Sequence, residues 1–198
     1  MLPSMSFLMH GQLSVTELLQ NFSITRDREV AEIILQEVQP VLRQIAAGTL
    51  SRESKLKPLT PTELINEAWV TRLNKGQWHI RDRGEFFAIA AKAMRLILVD
   101  LARRRTAQKR GDGTRDIPLD LWTETARGGA ATPEQIVAID EILTNLTRAD
   151  PAAAMVFEMK YFGGFTFEEI AELRDLRVRQ VRHRWDKAND WLKKRFKY

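Results

Sequence analysis

Apolar residues recur three and four positions apart along most of this chain, and no stretch alternates apolar with polar residues one by one. A 3.6-residue period buries one face of a helix and cannot bury one face of a strand. The pattern therefore predicts an all-α protein.

Helix boundaries follow from capping and breaking residues. A short helix is expected over Ser14–Phe22, with Ser14 as N-cap. A second is expected over Asp27–Gly48, with Gly48 as its stop and Pro40 kinking or splitting it. The segment Thr60–Asn74 opens with Thr60 as N-cap, Pro61 at the first helical position and Glu63 closing a capping box. Its apolar face is Leu64, Ile65, Ala68, Trp69 and Leu73. After a loop, Glu85–Arg110 reads as one long helix with Phe87, Ala90, Met94, Ile97, Leu98 and Leu101 along one side. A "GDG" sequence breaks it. Further helices are expected near Pro133–Leu146, Pro151–Phe162, Thr166–Leu173 and Arg177–Arg195. The Gly- and Pro-bearing stretch 111–131 reads as a flexible linker between two small helical domains, 10–110 and 132–198.

Charge is unevenly spread along the chain. The net charge is +5 over 198 residues. Residues 60–110 carry 11 basic and 5 acidic side chains, and 149–198 carry 11 and 8. Between them, 111–148 carries 3 basic and 7 acidic. Two basic blocks around an acidic connector suit a polyanion that touches both. The chain has no cysteine, which removes disulfides and thiolate metal sites. The first residues lack a basic stretch followed by a long apolar run, and no segment nears the roughly 20 apolar residues of a membrane span. A soluble, cytoplasmic protein without membrane contact is expected. His10, His79 and His183 are dispersed and no metal-ligand spacing appears. Neither a catalytic centre, a metal nor a cofactor is therefore expected, and the chain does not read as an enzyme.

The last two helices form a compact pattern. Val178, Val181, Trp185, Ala188 and Leu192 share one stripe of the final helix. Arg177, Arg179, Gln180, Arg182, His183, Arg184 and Lys187 cover its other faces. Phe167, Ile170, Ala171 and Leu173 of the helix before can pack on that stripe, with Thr166 and Glu169 as its cap and N3. A short joint links the two, as in a helix-turn-helix whose second helix enters the major groove. The alternative is a solvated helical hairpin, with Asp186 and Asp190 paired to Arg182 and Lys194 at i,i+4 spacing. In the first half, Trp78, His79, Phe86 and Phe87 gather at the start of the long helix. Arg103, Arg104, Arg105, Lys109 and Arg110 gather at its end. Aromatics beside basic residues suit unstacked bases on a phosphate backbone, although Phe87 is expected in the core.

The chain resembles the extracytoplasmic-function (ECF) sigma factors of the sigma-70 family. Three stretches carry the likeness in the family's order: "PTELINEAWVTRL", "EFFAIAAKAMRLILVDLARRR" (with a family Arg-x4-Asp pattern on Arg95 and Asp100) and "YFGGFTFEEIAEL…VRQVRHRWDKANDWL". The resemblance implies that the first domain grips the clamp helices of the largest catalytic polymerase subunit through Glu63, Leu64, Asn66 and Glu67. It implies minus-10 recognition and melting by Trp78, His79, Arg81, Arg83, Phe86, Arg95, Arg103, Arg104 and Arg105. It implies minus-35 recognition by Arg177, Arg179, Gln180, Arg182, His183, Arg184 and Lys187, with the second domain on the flap of the second-largest subunit. The protein would act on promoter DNA with core RNA polymerase, in the nucleoid.

Two departures from the family pattern matter. The usual glycine and small capping residue at the helix-turn-helix joint are Asp175 and Arg177 here. Asp tolerates left-handed backbone, and Asp175 could supply a substitute cap. The usual Asp-Ala-Glu-Asp run at the polymerase-gripping helix is "TPTE", Thr60–Glu63. This resembles the subgroup that lacks the acidic run and is linked to Ser/Thr protein kinases. A phosphate at that helix N-terminus, on Thr62 or else Thr60, would restore the missing charge. An anti-sigma factor is the other regulator the resemblance allows. The competing readings are a helix-turn-helix regulator that binds duplex DNA alone and a nucleic-acid enzyme.

Overall fold

The computed structural model describes residues 14–25, 27–51, 59–73, 80–108 and 131–195. Trp78, His79, Lys109, Arg110 and all but the last residue of the expected linker lie outside the described residues. Among those described, every regular element is helical.

Helix α1 runs Val15–Thr25 and α2 runs Arg28–Ser51. Ser14 starts α1 as foreseen: its backbone N–H donates to Glu17 at 2.7 Å, and Glu17 N–H returns a bond to the Ser14 hydroxyl. Helix α2 neither splits at Pro40 nor ends at Gly48, but continues to Ser51. Gly48 serves a different purpose. A Cβ there would stand 3.0 Å from the backbone nitrogen of Gly164 and 3.0 Å from the Phe162 carbonyl oxygen. Two backbones meet at this point, and the absent side chain is what lets them.

Helix α3, Pro61–Ala68, widens into a π-helical turn over Trp69–Leu73. Helix α4 runs Arg83–Gln108, α5 Pro133–Ala149, and α6 Pro151–Phe157, which also widens into a π-helical turn over Glu158–Phe162. The last pair is α7, Phe167–Leu173, and α8, Val178–Arg195.

Helix α4 is the centre of the molecule. The sequence showed one apolar side, and Phe87, Ala90, Met94, Ile97 and Leu98 are indeed buried there, with Leu101 only partly so. Burial extends past that stripe on both flanks, through Phe86 and Ala93 on one and Ala91, Arg95, Val99 and Ala102 on the other, while Lys92 and Arg103 stay exposed. A helix buried over so wide an arc must have neighbours on several sides. Its neighbours are α2, α3, α5 and the turn Glu158–Phe162. One apolar core thus joins Leu19, Ile34, Leu42 and Phe87 to Val156, Met159, Phe165 and Val181, across the sequence boundary at 111–131. A second cluster, Leu143, Phe157, Tyr161, Ala188 and Leu192, lies within the C-terminal half. Stacked rings, Phe157 on Tyr161 and on Trp185, brace it at centroid distances of 5.1 and 5.4 Å.

Candidate nucleic-acid and polymerase interfaces

The joint between α7 and α8 is built from local hydrogen bonds. Thr166 and Glu169 form the reciprocal capping box expected from sequence, at 2.7 and 3.1 Å. At its other end α7 closes in a Schellman motif. Leu176 N–H donates to Ala171 O at 2.9 Å, and Asp175 N–H donates to Glu172 O at 3.3 Å. This places Asp175 at φ 48°, the left-handed position a glycine would take most cheaply. The cap of α8 comes from Gln180 rather than Asp175. Its Oε1 accepts from Arg177 N–H at 3.0 Å, half of a capping box without the serine.

This geometry sets Val181, Ala188 and Leu192 inward and turns the basic face outward. Arg177, Arg179, Gln180, Arg182, His183 and Lys187 are exposed and Arg184 is half-buried. Two of them have solvent-facing partners. Arg182 bonds Glu168 at 3.2 Å and lies 4.8 Å from the centre of the Phe167 ring. Lys187 bonds Asp150 at 3.0 Å. Arg182 thus turns to α7 rather than to Asp186, the partner that a plain hairpin would give it. Asp150 is itself the N-cap of α6, and the Ala153 amide it accepts, with Lys187 beside it, holds its carboxyl below the ordinary range.

The expected minus-10 set divides in two. Arg81 and Arg83 are exposed, Arg81 paired with Glu85 at 3.1 Å, and Arg104 is exposed on the last turns of α4. Arg105 is half-buried. Phe86, however, is 2% exposed and packs on Phe87 inside the core. Arg95 is also 2% exposed, with Asp140 and Glu158 as its partners, and Arg103 reaches the second oxygen of Asp140. Asp100, the other half of the Arg-x4-Asp pattern, pairs with Arg72 at 2.6 Å.

Helix α3, which the resemblance makes the candidate polymerase-gripping helix, presents a polar stripe. Thr60 Oγ1 accepts from Glu63 N–H at 3.2 Å, and Glu63 Oε2 accepts from Thr60 N–H at 2.7 Å. The Thr60 backbone bond, and then its hydroxyl, hold the Glu63 carboxyl below the ordinary glutamate range. Thr62, Glu63, Asn66 and Glu67 are exposed, whereas Leu64 is fully buried in the core. Sequence reasoning missed Val70, which stands 57% exposed one turn beyond Asn66 and Glu67. Its signal was available: positions 63, 66, 67 and 70 share one helical face.

An all-helical chain with a capped helix-turn-helix and a basic outer helix defines the class of helical DNA-binding transcription factors. Within that class the family model for ECF sigma factor matches residues 12–198. The chain belongs to the ECF sigma factors, whose role is promoter-specific transcription initiation with RNA polymerase. No curated protein and no solved structure matches the chain. Among the described residues no helix is long and apolar enough to cross a membrane.

Proposed function

We propose that the two sequence halves, 10–110 and 132–198, act as two hands on one promoter. The C-terminal hand reads the minus-35 element through the outer face of α8. The N-terminal hand holds the polymerase clamp through Glu63, Asn66, Glu67 and Val70. It reads and melts the minus-10 element through Arg81, Arg83, Arg95 and the run Arg103–Arg105. The observation that carries this reading is the exposed first two turns of α8, free of acidic residues, behind a capped joint. A major groove accepts a helix whose N-terminal turns project basic and amide side chains. Partners are core RNA polymerase and promoter DNA, with the work done in the cytoplasm.

The finer reading concerns Thr60–Glu63. Thr60 is the N-cap and its hydroxyl is already bonded to Glu63 at 2.9 Å, so a phosphate there would dismantle the cap. Thr62 is exposed in the first turn and holds no such role. A phosphate on Thr62 would lie near the helix N-terminus, where the dipole favours negative charge. We therefore assign a kinase-dependent switch to Thr62.

The test is transcription in vitro with core polymerase across a promoter library. Arg179→Ala should lose minus-35 preference while retaining polymerase binding. Tight sequence-specific duplex binding by the protein without polymerase would instead indicate a stand-alone regulator. Equal core-polymerase affinity for Thr62→Ala, Thr62→Glu and protein isolated from its host would remove the switch.

A further inference from the structure

One arginine on the outer face of α8 is held in place by the helix-turn-helix itself. Arg182 stands in the second turn of α8, and its Nη2 donates to Glu168 Oε1 of α7 at 3.2 Å. Its guanidinium carbon lies 4.8 Å from the centre of the Phe167 ring, in the first turn of α7. That ring has supports of its own. Trp185, three positions after Arg182 on the same helix, meets it at 65° and 6.1 Å, and the Lys160 ammonium sits 4.8 Å from its centre. Trp185 in turn stacks on the buried Phe157 at 5.4 Å. A chain of rings thus runs from the C-terminal core out to one exposed cation. Arg177 and Arg179, one turn earlier, are exposed without such a support among the described residues. Lys187 bonds Asp150, but an ammonium is a point charge with no plane to fix.

We propose that Phe167 and Glu168 are positioning residues, which aim Arg182 at a base edge of the minus-35 element and away from the DNA phosphates. This inference rests on the preceding reading that the outer face of α8 enters that groove. It adds two residues of α7 that lie outside the basic face.

The chemistry separates a base from a phosphate by charge. A guanidinium has five N–H donors, and Glu168 takes one of them. The rest of the fork fits the paired O6 and N7 acceptors of guanine. A phosphate that approaches the same guanidinium meets the Glu168 carboxylate as a like charge, whereas a base edge carries acceptors without net charge. Glu168 thus biases Arg182 against backbone contact at random sequence. Phe167 acts on entropy. A free arginine gives up many rotamers on binding, and one that already lies on a ring gives up fewer. The device does not serve stability, because the Arg182 and Glu168 side chains are 57% and 63% exposed and such pairs contribute little to folding.

The test uses the full-length protein assembled with core polymerase, on promoters randomised over the minus-35 element. In the parent one position should prefer guanine, and Arg182→Ala should abolish that preference. Phe167→Leu should weaken it by about 2- to 5-fold, the worth of one exposed cation–π contact, and Phe167→Tyr should restore it. Glu168→Gln should tighten binding to scrambled duplex and so shrink the ratio of selected to scrambled DNA. In an Arg182→Ala background neither change should have a further effect. Polymerase affinity should be the same throughout. A loss spread evenly over all positions, or a Phe167→Leu effect that persists without Arg182, overturns the positioning role. Should Phe167→Leu fail to fold, the exposed Glu168→Gln decides, and an unchanged ratio overturns it. A parent that selects no minus-35 sequence at all would instead refute the functional reading. NMR of the free protein would then still judge the positioning. The Arg182 side-chain signals should be ring-shifted and ordered in the parent and averaged in Phe167→Leu, and mobile, unshifted signals in the parent overturn it.

Discussion

Gly84 is the sharpest place to test how closely the two halves fit. It lies in the first turn of α4, and an ideal Cβ there would stand 2.0 Å from the Leu173 carbonyl oxygen and 2.8 Å from its carbon. Carbon–oxygen contacts in proteins ordinarily begin near 3.3 Å. One added methyl therefore demands a separation of more than about 1 Å between two main chains, neither of which can swing aside like a side chain. Overpacking a tight interior usually costs about 1–3 kcal/mol, and a clash between backbones belongs at the upper end. The adjacent Arg174–Asp82 pair would stretch with it. Against this stands a helix-propensity gain of roughly 0.5–1 kcal/mol for alanine over glycine. The net expectation for Gly84→Ala is a loss of about 1–2.5 kcal/mol, felt by the packed form and not by α4 itself. In a chain of this length that lowers the melting temperature by roughly 2–10 °C. Calorimetry and urea unfolding read it directly, and labels on the two halves should move apart. A variant that melts higher than the parent, with the label distance unchanged, would refute the close approach, since propensity alone would then be acting.

Further outcomes follow from single residues. Leu64→Ala should destabilise the fold by about 2–5 kcal/mol, whereas Glu67→Ala should leave the melting temperature nearly unchanged and weaken core-polymerase binding. Both are read by thermal melting beside a polymerase affinity assay. Asp150→Ala should cost about 0.5–2 kcal/mol at neutral pH, because Asp150 caps α6 and pairs with Lys187. Its folded carboxyl is held low, so its contribution is present above the ordinary aspartate value of about 3.9 and fades as pH falls through the lowered one. The parent and Asp150→Ala should begin to draw together in acid unfolding curves as pH falls below about 4 and should meet only below the lowered value, and a gap that does not narrow on acidification would contradict the charge-based account.

Helix starts were legible from the sequence because capping is local. Thr60 with Glu63, and Thr166 with Glu169, formed the reciprocal bonds their spacing predicts. The inward stripe of α8 was legible for the same reason. What failed to show were features decided by distant partners. Gly48 reads as a stop signal, yet α2 passes through it, since its reason for being small is a backbone more than 100 residues away. The second buried side of α4 gave no apolar stripe, because it is made of alanines, Val99 and an arginine. Arg95 enters as an expected DNA contact through the family resemblance alone. Its carboxylate partners are 45 and 63 residues further along, and no local pattern announces them. Leu64 sat in a polar motif and was counted with it, although its period placed it inside.

Four helices, α1, α3, α5 and α7, begin with the same device: a hydroxyl residue that exchanges hydrogen bonds with a Glu or Gln three positions on. Each device closes within a single turn and needs no tertiary partner. As the chain is synthesised, these starts can therefore nucleate in order from the N-terminus, each on the sub-microsecond to microsecond scale of helix formation. The slow event is the late docking of α5 and the turn Glu158–Phe162 onto α4, which must await the second half of the chain. A nascent chain released before that docking would carry preformed helices and a bare flank on α4, and that flank is where a chaperone would be needed.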